Sequence, residues 1–139
     1  MLSLRYPRRW RVASLILMLF VLAATLVPEA WYWPGRQQLA TWLVAADKWA
    51  HTTTFAGLSV WFAGLYQRQV YWRIGIGLAA FGVGIEICQL FVAYRSADVF
   101  DVVADTVGIA IGLTVALAGL GGWCLRLENW IVAIRARNG

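Results

Sequence analysis

The chain has 139 residues, 61% hydrophobic and 14% charged, with a mean hydropathy of +0.65 and a formal net charge of +5. Soluble domains carry about 25% charged residues, so this composition excludes a water-soluble fold. The basic residues stand in short clusters between apolar runs, which marks membrane topology and not a nucleic-acid groove, so no nucleic acid is expected as a partner.

The length suits a single domain, residues 1–139, with four membrane-spanning helices of about 20 residues each. The first span is Trp10 to Val27, behind Arg5, Arg8, Arg9 and Arg11. A basic start before an apolar run also suits a signal peptide, but Pro28 falls at the −3 position of the cleavage site that VPEA would offer. An uncleaved helix is expected.

Pro28, Pro34 and Gly35 then break helix continuity. Leu39, Trp42, Leu43 and Ala46 recur at helical spacing, which predicts a short interfacial helix on the outer side. Trp31, Tyr32, Trp33, Trp42 and Trp49 suit an aromatic belt at headgroup level.

The second span runs from about Asp47 to Tyr66 and carries His51, the only histidine. A basic turn, Gln67 to Arg73, leads into the third span, about Trp72 to Phe91, which contains Glu86 and Gln89. After the loop VAYRSA comes the fourth span, about Asp98 to Gly122, with three aspartates in its first turns. The tail from Trp123 alternates apolar and basic residues at helical period, as an amphipathic helix on the membrane surface does. Cys88 and Cys124 fall near opposite membrane faces, too far apart for a disulfide, and read as buried thiols.

With the N-terminus inside, nine basic residues lie on the cytoplasmic side and three, Arg36, Lys48 and Arg95, outside. That bias predicts a multi-pass protein with both termini cytoplasmic. Asp47, His51, Glu86, Gln89, Asp98, Asp101 and Asp105 then arrive at one depth, the outer half of the membrane, from three helices. At about 100° per residue, Asp98 and Asp105 share an azimuth, with Asp101 close by. Carboxylates in hydrocarbon are costly and face a bundle interior or a wet cavity. Ala104, Gly108, Gly112 and Ala116 form a ladder of small residues that lets a neighbouring backbone approach, and Gly75, Gly77, Gly82 and Gly84 offer the third span a similar surface.

DKWAHTTTFAGL (Asp47 to Leu58) and GVGIEICQLFVAYRSADVFDVVADTVGIAIG (Gly82 to Gly112) together resemble the VanZ-like family. Its pattern is Asp-Lys with a nearby His, then Glu-x-x-Gln, Arg-Ser-x-Asp, Asp-x-x-x-Asn and a Gly. Asp47, Lys48, His51, Glu86, Gln89, Arg95, Ser96, Asp98, Asp101 and Gly108 fall on those positions, and Asp105 stands where the family has Asn. The core of the resemblance is residues 47–112. It implies a bacterial inner-membrane protein of the cell envelope, related to one associated with low-level teicoplanin resistance.

Three readings of the cluster stay open. In the structural one, Lys48 and Arg95 neutralise the carboxylates, Asp98 caps a helix and Asp101 sits in its favourable first turn. In the second, oxygen ligands with one histidine hold a divalent cation or a lipid headgroup. In the third, His51 or Glu86 acts as a base, with Asp101 in the same catalytic group. Asp47, Lys48, Gln89, Arg95, Ser96, Asp98 and Asp105 are then binding residues. Val102 replaces the Gly of the Asp-x-x-Asp-Gly phosphotransferase pattern, and no His-Glu-x-x-His, Gly-x-Ser-x-Gly or Walker motif occurs. No metal or cofactor is specified.

The leading expectation is an all-helical integral membrane protein that lies in a lipid bilayer and binds or shields a lipid-linked or peptidoglycan-related headgroup. An enzyme modifying such a headgroup and a non-catalytic adaptor in a larger complex are the alternatives. Homo-oligomerisation is left open.

Overall fold

The computed structural model describes residues 2–26, 40–92 and 98–137, and of residues 40–46 the backbone alone. Every regular element among them is helical: α1 Pro7–Leu26, α2 Ala40–Leu65, α3 Tyr71–Leu90, α4 Val99–Val115 and α5 Trp123–Arg137. A 3-10 turn, Arg68–Val70, leads into α3, and a π-helical turn, Ala116–Leu120, follows α4. Pro7 opens α1 at the position where a missing N–H costs nothing.

Three of the helical stretches are long and apolar enough to cross a membrane: Pro7–Leu26, Arg68–Leu90 and Val99–Leu120. They carry large apolar side chains outward, among them Phe20, Ile76, Leu90, Phe100 and Val103, as lipid-facing helices do. The second expected span corresponds to α2. Its 26 residues reach about 39 Å. Asp47, Lys48, His51 and Thr52 to Thr54 dilute its apolar content, and it is not among the three.

The separate interfacial helix does not take that form. Residues 40–46 continue without a break into α2, so the periodicity of Trp42, Leu43 and Ala46 belongs to its first turns. Residues 28–39, with most of the expected aromatic belt, lie outside the described residues; Trp49 is exposed as a belt residue should be.

The helices pack with α2 and α4 parallel and α1 and α3 antiparallel to them. The ladder of small residues sets the α2–α4 pairing. A Cβ added at Gly108 would strike the carbonyl oxygen of Thr52, and one at Gly112 the carbonyl oxygen of Ala56. Thr52 Oγ1 donates to the Ala104 carbonyl at 3.2 Å, and Ala116 is fully buried. On α3 only one face is used: Gly75 meets Leu113, Gly82 meets Asp105 and Phe55, whereas Gly77 and Gly84 meet nothing. Val21, Phe55, Leu58, Leu78, Ile85 and Ile109 form the apolar centre.

The two ends of the bundle differ in character. At one end Trp10, Trp61 and Trp123 stack edge-to-face with centroids 5.6–5.7 Å apart. There Glu128 of α5 accepts from the Arg5 and Tyr6 backbone N–H groups and the Trp10 indole, so a carboxylate sits on the positive end of α1. The chain turns from α4 into α5 through Gly119 and Gly122, whose φ of 150° and 70° side chains resist. Cys124 is buried beside this contact, and its thiol is pushed up to about 12, by burial first and the Glu128 charge second. Cys88 departs from the expected burial: it is exposed on the outward face of α3. The other end holds the acidic residues.

Candidate functional site

Asp98 precedes α4 in an extended conformation, and its Oδ1 accepts from the Phe100 N–H at 2.9 Å, the expected N-cap. Its other oxygen, Oδ2, takes the Lys48 ammonium at 2.5 Å. Lys48 also donates to Asp101 Oδ1, so one cation from α2 bridges two carboxylates of α4. Its neutralising role is therefore built as the sequence suggests. Arg95 and Ser96 lie outside the described residues.

One turn deeper, His51 Nδ1 lies 2.9 Å from Asp105 Oδ1. With Asp105 ionised the imidazole donates there, and in the neutral ring Nε2 then carries the lone pair. Nε2 is 3.9 Å from Asp101 Oδ2, beyond hydrogen-bonding distance. His51, Asp101 and Asp105 are all at least 95% buried.

Glu86 enters from α3. Its Oε2 accepts the Asp98 backbone N–H at 2.9 Å, joining α3 to the start of α4. Among the described residues, its buried Oε1 has no hydrogen-bond partner, nor has Asp105 Oδ2, which points at the space left by Gly82. Two buried carboxylate oxygens without partners are expensive, and such atoms mark places where a structure serves something other than stability.

Asp47, half-buried on α2, completes the group. One carboxylate oxygen of Asp47, one imidazole nitrogen of His51 and one carboxylate oxygen of Asp101 lie within 4.8 Å of one another. Five carboxylates, Asp47, Glu86, Asp98, Asp101 and Asp105, thus gather around one ammonium and one imidazole among the described residues.

Gln89 takes a different path. It is buried, but its Nε2 donates to the Thr25 carbonyl of α1 at 3.1 Å. Three residues beyond Glu86 it is turned by about 60° around α3, enough to face α1 instead of α4. Its amide holds two helices together and is not directed at the carboxylates.

A family model for VanZ/LLP1 matches residues 3–120. The chain belongs to the VanZ/LLP1 family. No curated protein and no solved structure matches it. Of the residues that carried the VanZ-like resemblance, Asp47, Lys48, His51, Glu86, Asp98 and Asp101 are brought together, with Asp105 beside them, whereas Gln89 faces α1 and Arg95 and Ser96 lie outside the described residues. Gly108, the motif glycine, is where α4 touches the α2 backbone. Its role is to bring the two polar faces within hydrogen-bond reach. Two further residues shape the site in ways that the sequence reading did not specify. Thr52 braces the α2–α4 seam from the residue next to His51, and Gly82, four residues before Glu86 on the same face of α3, makes room for Asp105. The i, i+4 spacing was the available signal for Gly82.

Proposed function

We propose that this VanZ-like membrane protein binds or shields a lipid-linked or peptidoglycan-related headgroup at its acidic end, with Glu86 at the centre of the contact. The observation that carries this reading is the buried Glu86 Oε1, without a hydrogen-bond partner among the described residues, in a helix otherwise made for lipid. Ionisable groups at membrane depth cost several kcal/mol or more and are kept for function. α2 joins the three more apolar helices as a fourth span, the chain forms one domain, and both termini lie in the cytoplasm of a bacterial cell. The nine-to-three basic bias supports this orientation, which turns the acidic end to the outer leaflet of the inner membrane. A headgroup held there is placed to affect glycopeptides of the teicoplanin class, which act on that side.

Catalysis on the headgroup is the second reading, favoured by the His51–Asp105 pair. A histidine whose Nδ1 is fixed by a carboxylate presents Nε2 as a general base.

The test is native mass spectrometry of the protein extracted from bacterial membranes, wild type beside Glu86→Gln. A lipid-linked headgroup that leaves with the wild type and is lost from the equally abundant variant is expected. Equal recovery with both, or none with either, removes the headgroup reading.

A further inference from the structure

We propose that Asp47, His51 and Asp101 bind one divalent transition-metal ion, of the zinc or manganese class, with Asp105 as the residue that orients the histidine. This deepens the reading of the acidic end as a binding site and rests on it. The three side chains offer ligand atoms within 4.8 Å of one another. Asp105 takes the Nδ1 side of the ring at 2.9 Å, the arrangement by which a carboxylate fixes a metal-bound histidine. Nε2 then faces Asp101 Oδ2 at 3.9 Å. Ligand bonds of about 2.0–2.2 Å place two donors about 3.4 Å apart around a tetrahedral ion, so this pair closes with a shift of about half an ångström. Lys48 holds the opposite oxygen of Asp101 and leaves Oδ2 to the ion.

Charge supplies the independent argument. Among the described residues, the buried Glu86 Oε1 has no hydrogen-bond partner, and five carboxylates meet one ammonium and one imidazole. A dication would offset much of that negative charge. One imidazole with two carboxylates suits Zn²⁺ or Mn²⁺ better than the all-oxygen sets of Ca²⁺ and Mg²⁺. Three protein ligands leave a coordination position for an outside oxygen. A phosphate-bearing headgroup, which five carboxylates would repel, could enter there.

The experiment uses the full chain, tag-free in detergent, stripped with EDTA and titrated calorimetrically with Zn²⁺ and, separately, Mn²⁺. Saturable binding of one ion per chain is expected, with a rise in melting temperature. His51→Gln and Asp47→Asn should each weaken it at least about 10-fold, and Asp98→Asn far less. Asp47 is only half-buried, so its variant keeps the test alive if His51→Gln unfolds. Lack of saturable binding of both ions, or affinity unchanged in both variants, overturns the metal site. Headgroup capture that persists in stripped protein overturns the metal and spares the headgroup reading. One-to-one metal binding with no headgroup captured supports the metal and removes the headgroup.

Discussion

His51 and Asp105 are joined by a buried hydrogen bond, Nδ1 to Oδ1 at 2.9 Å, across the seam between α2 and α4. The family pattern has Asn at position 105, and an Asn carbonyl oxygen can accept the same N–H. The departure therefore changes the charge but keeps the geometry. Asp105→Asn is expected to retain function in a complemented deletion strain. Asp105→Leu should lose it and cost roughly 1–3 kcal/mol, because the imidazole N–H is left buried and unmatched. Thermal denaturation in detergent beside complementation decides; an inactive Asp105→Asn at wild-type stability would show that the charge itself is needed.

The carboxylates should separate by role. Glu86→Gln keeps the Asp98 N–H acceptor and removes the charge, so it should fold and fail in complementation. Asp101→Asn should behave alike, since it loses the charge that faces Lys48 and His51. Asp98→Asn should be milder, because Asn caps almost as well as Asp. Membrane abundance measured for each variant separates misfolding from loss of function. Full activity in Glu86→Gln and Asp101→Asn would leave only the structural role.

Some of this arrangement was open to sequence reasoning and some was not. The Asp98 cap, the acidic stripe and the Ala104 to Ala116 ladder are local patterns, set by helical period alone, and they stand in the structure as read. Lys48 on Asp98 followed from shared depth. Gln89 did not, because which helix lies beside a given face of α3 depends on the order of helices around the bundle. Glu128 escaped altogether: its partners lie 118 to 123 residues away, and its tail position suggested a surface charge. The start of α2 was misjudged because three helix breakers precede it and hid its continuity with the seven residues before Asp47.

The small-residue seam makes a stability prediction with an internal control. Gly108→Val and Gly112→Val drive a branched side chain into the α2 backbone and should cost at least about 1–3 kcal/mol. Gly57, on α2, has nothing within 4 Å of its added Cβ, so Gly57→Ala should be neutral or stabilising by up to about 1 kcal/mol. Melting curves in one detergent compare the three directly. A tolerant Gly108 would mean that α2 and α4 are not pressed together there.

Orientation is accessible to labelling. In a background without Cys88 and Cys124, single cysteines replacing Arg68, Arg95 and Arg137 are exposed to an impermeant thiol reagent in intact spheroplasts. Position 95 should react, and positions 68 and 137 only after lysis. Labelling of 68 or 137 in intact cells would invert the proposed topology and turn the acidic end to the cytoplasm.

Glu128 gives the pH dependence at the opposite end. Burial alone would raise its carboxyl, but the Arg5 and Tyr6 N–H groups, the Trp10 indole and the Arg5 charge outweigh burial and hold it below the usual 4.5. The folded form therefore binds its proton less readily than the unfolded chain. The stabilisation is present in full above about pH 4.5 and is lost as pH falls through the lower folded value. At neutral pH, Glu128→Gln should cost roughly 1.5–3 kcal/mol, as hydrogen bonds to a charged group become bonds to a neutral amide. Wild-type stability should then fall more steeply than that of the variant below pH 4.5, and the two curves should converge. Melting temperatures of both proteins from pH 7 to pH 3 measure this. A constant gap between them across that range would mean that the carboxylate charge does not hold α1 to α5.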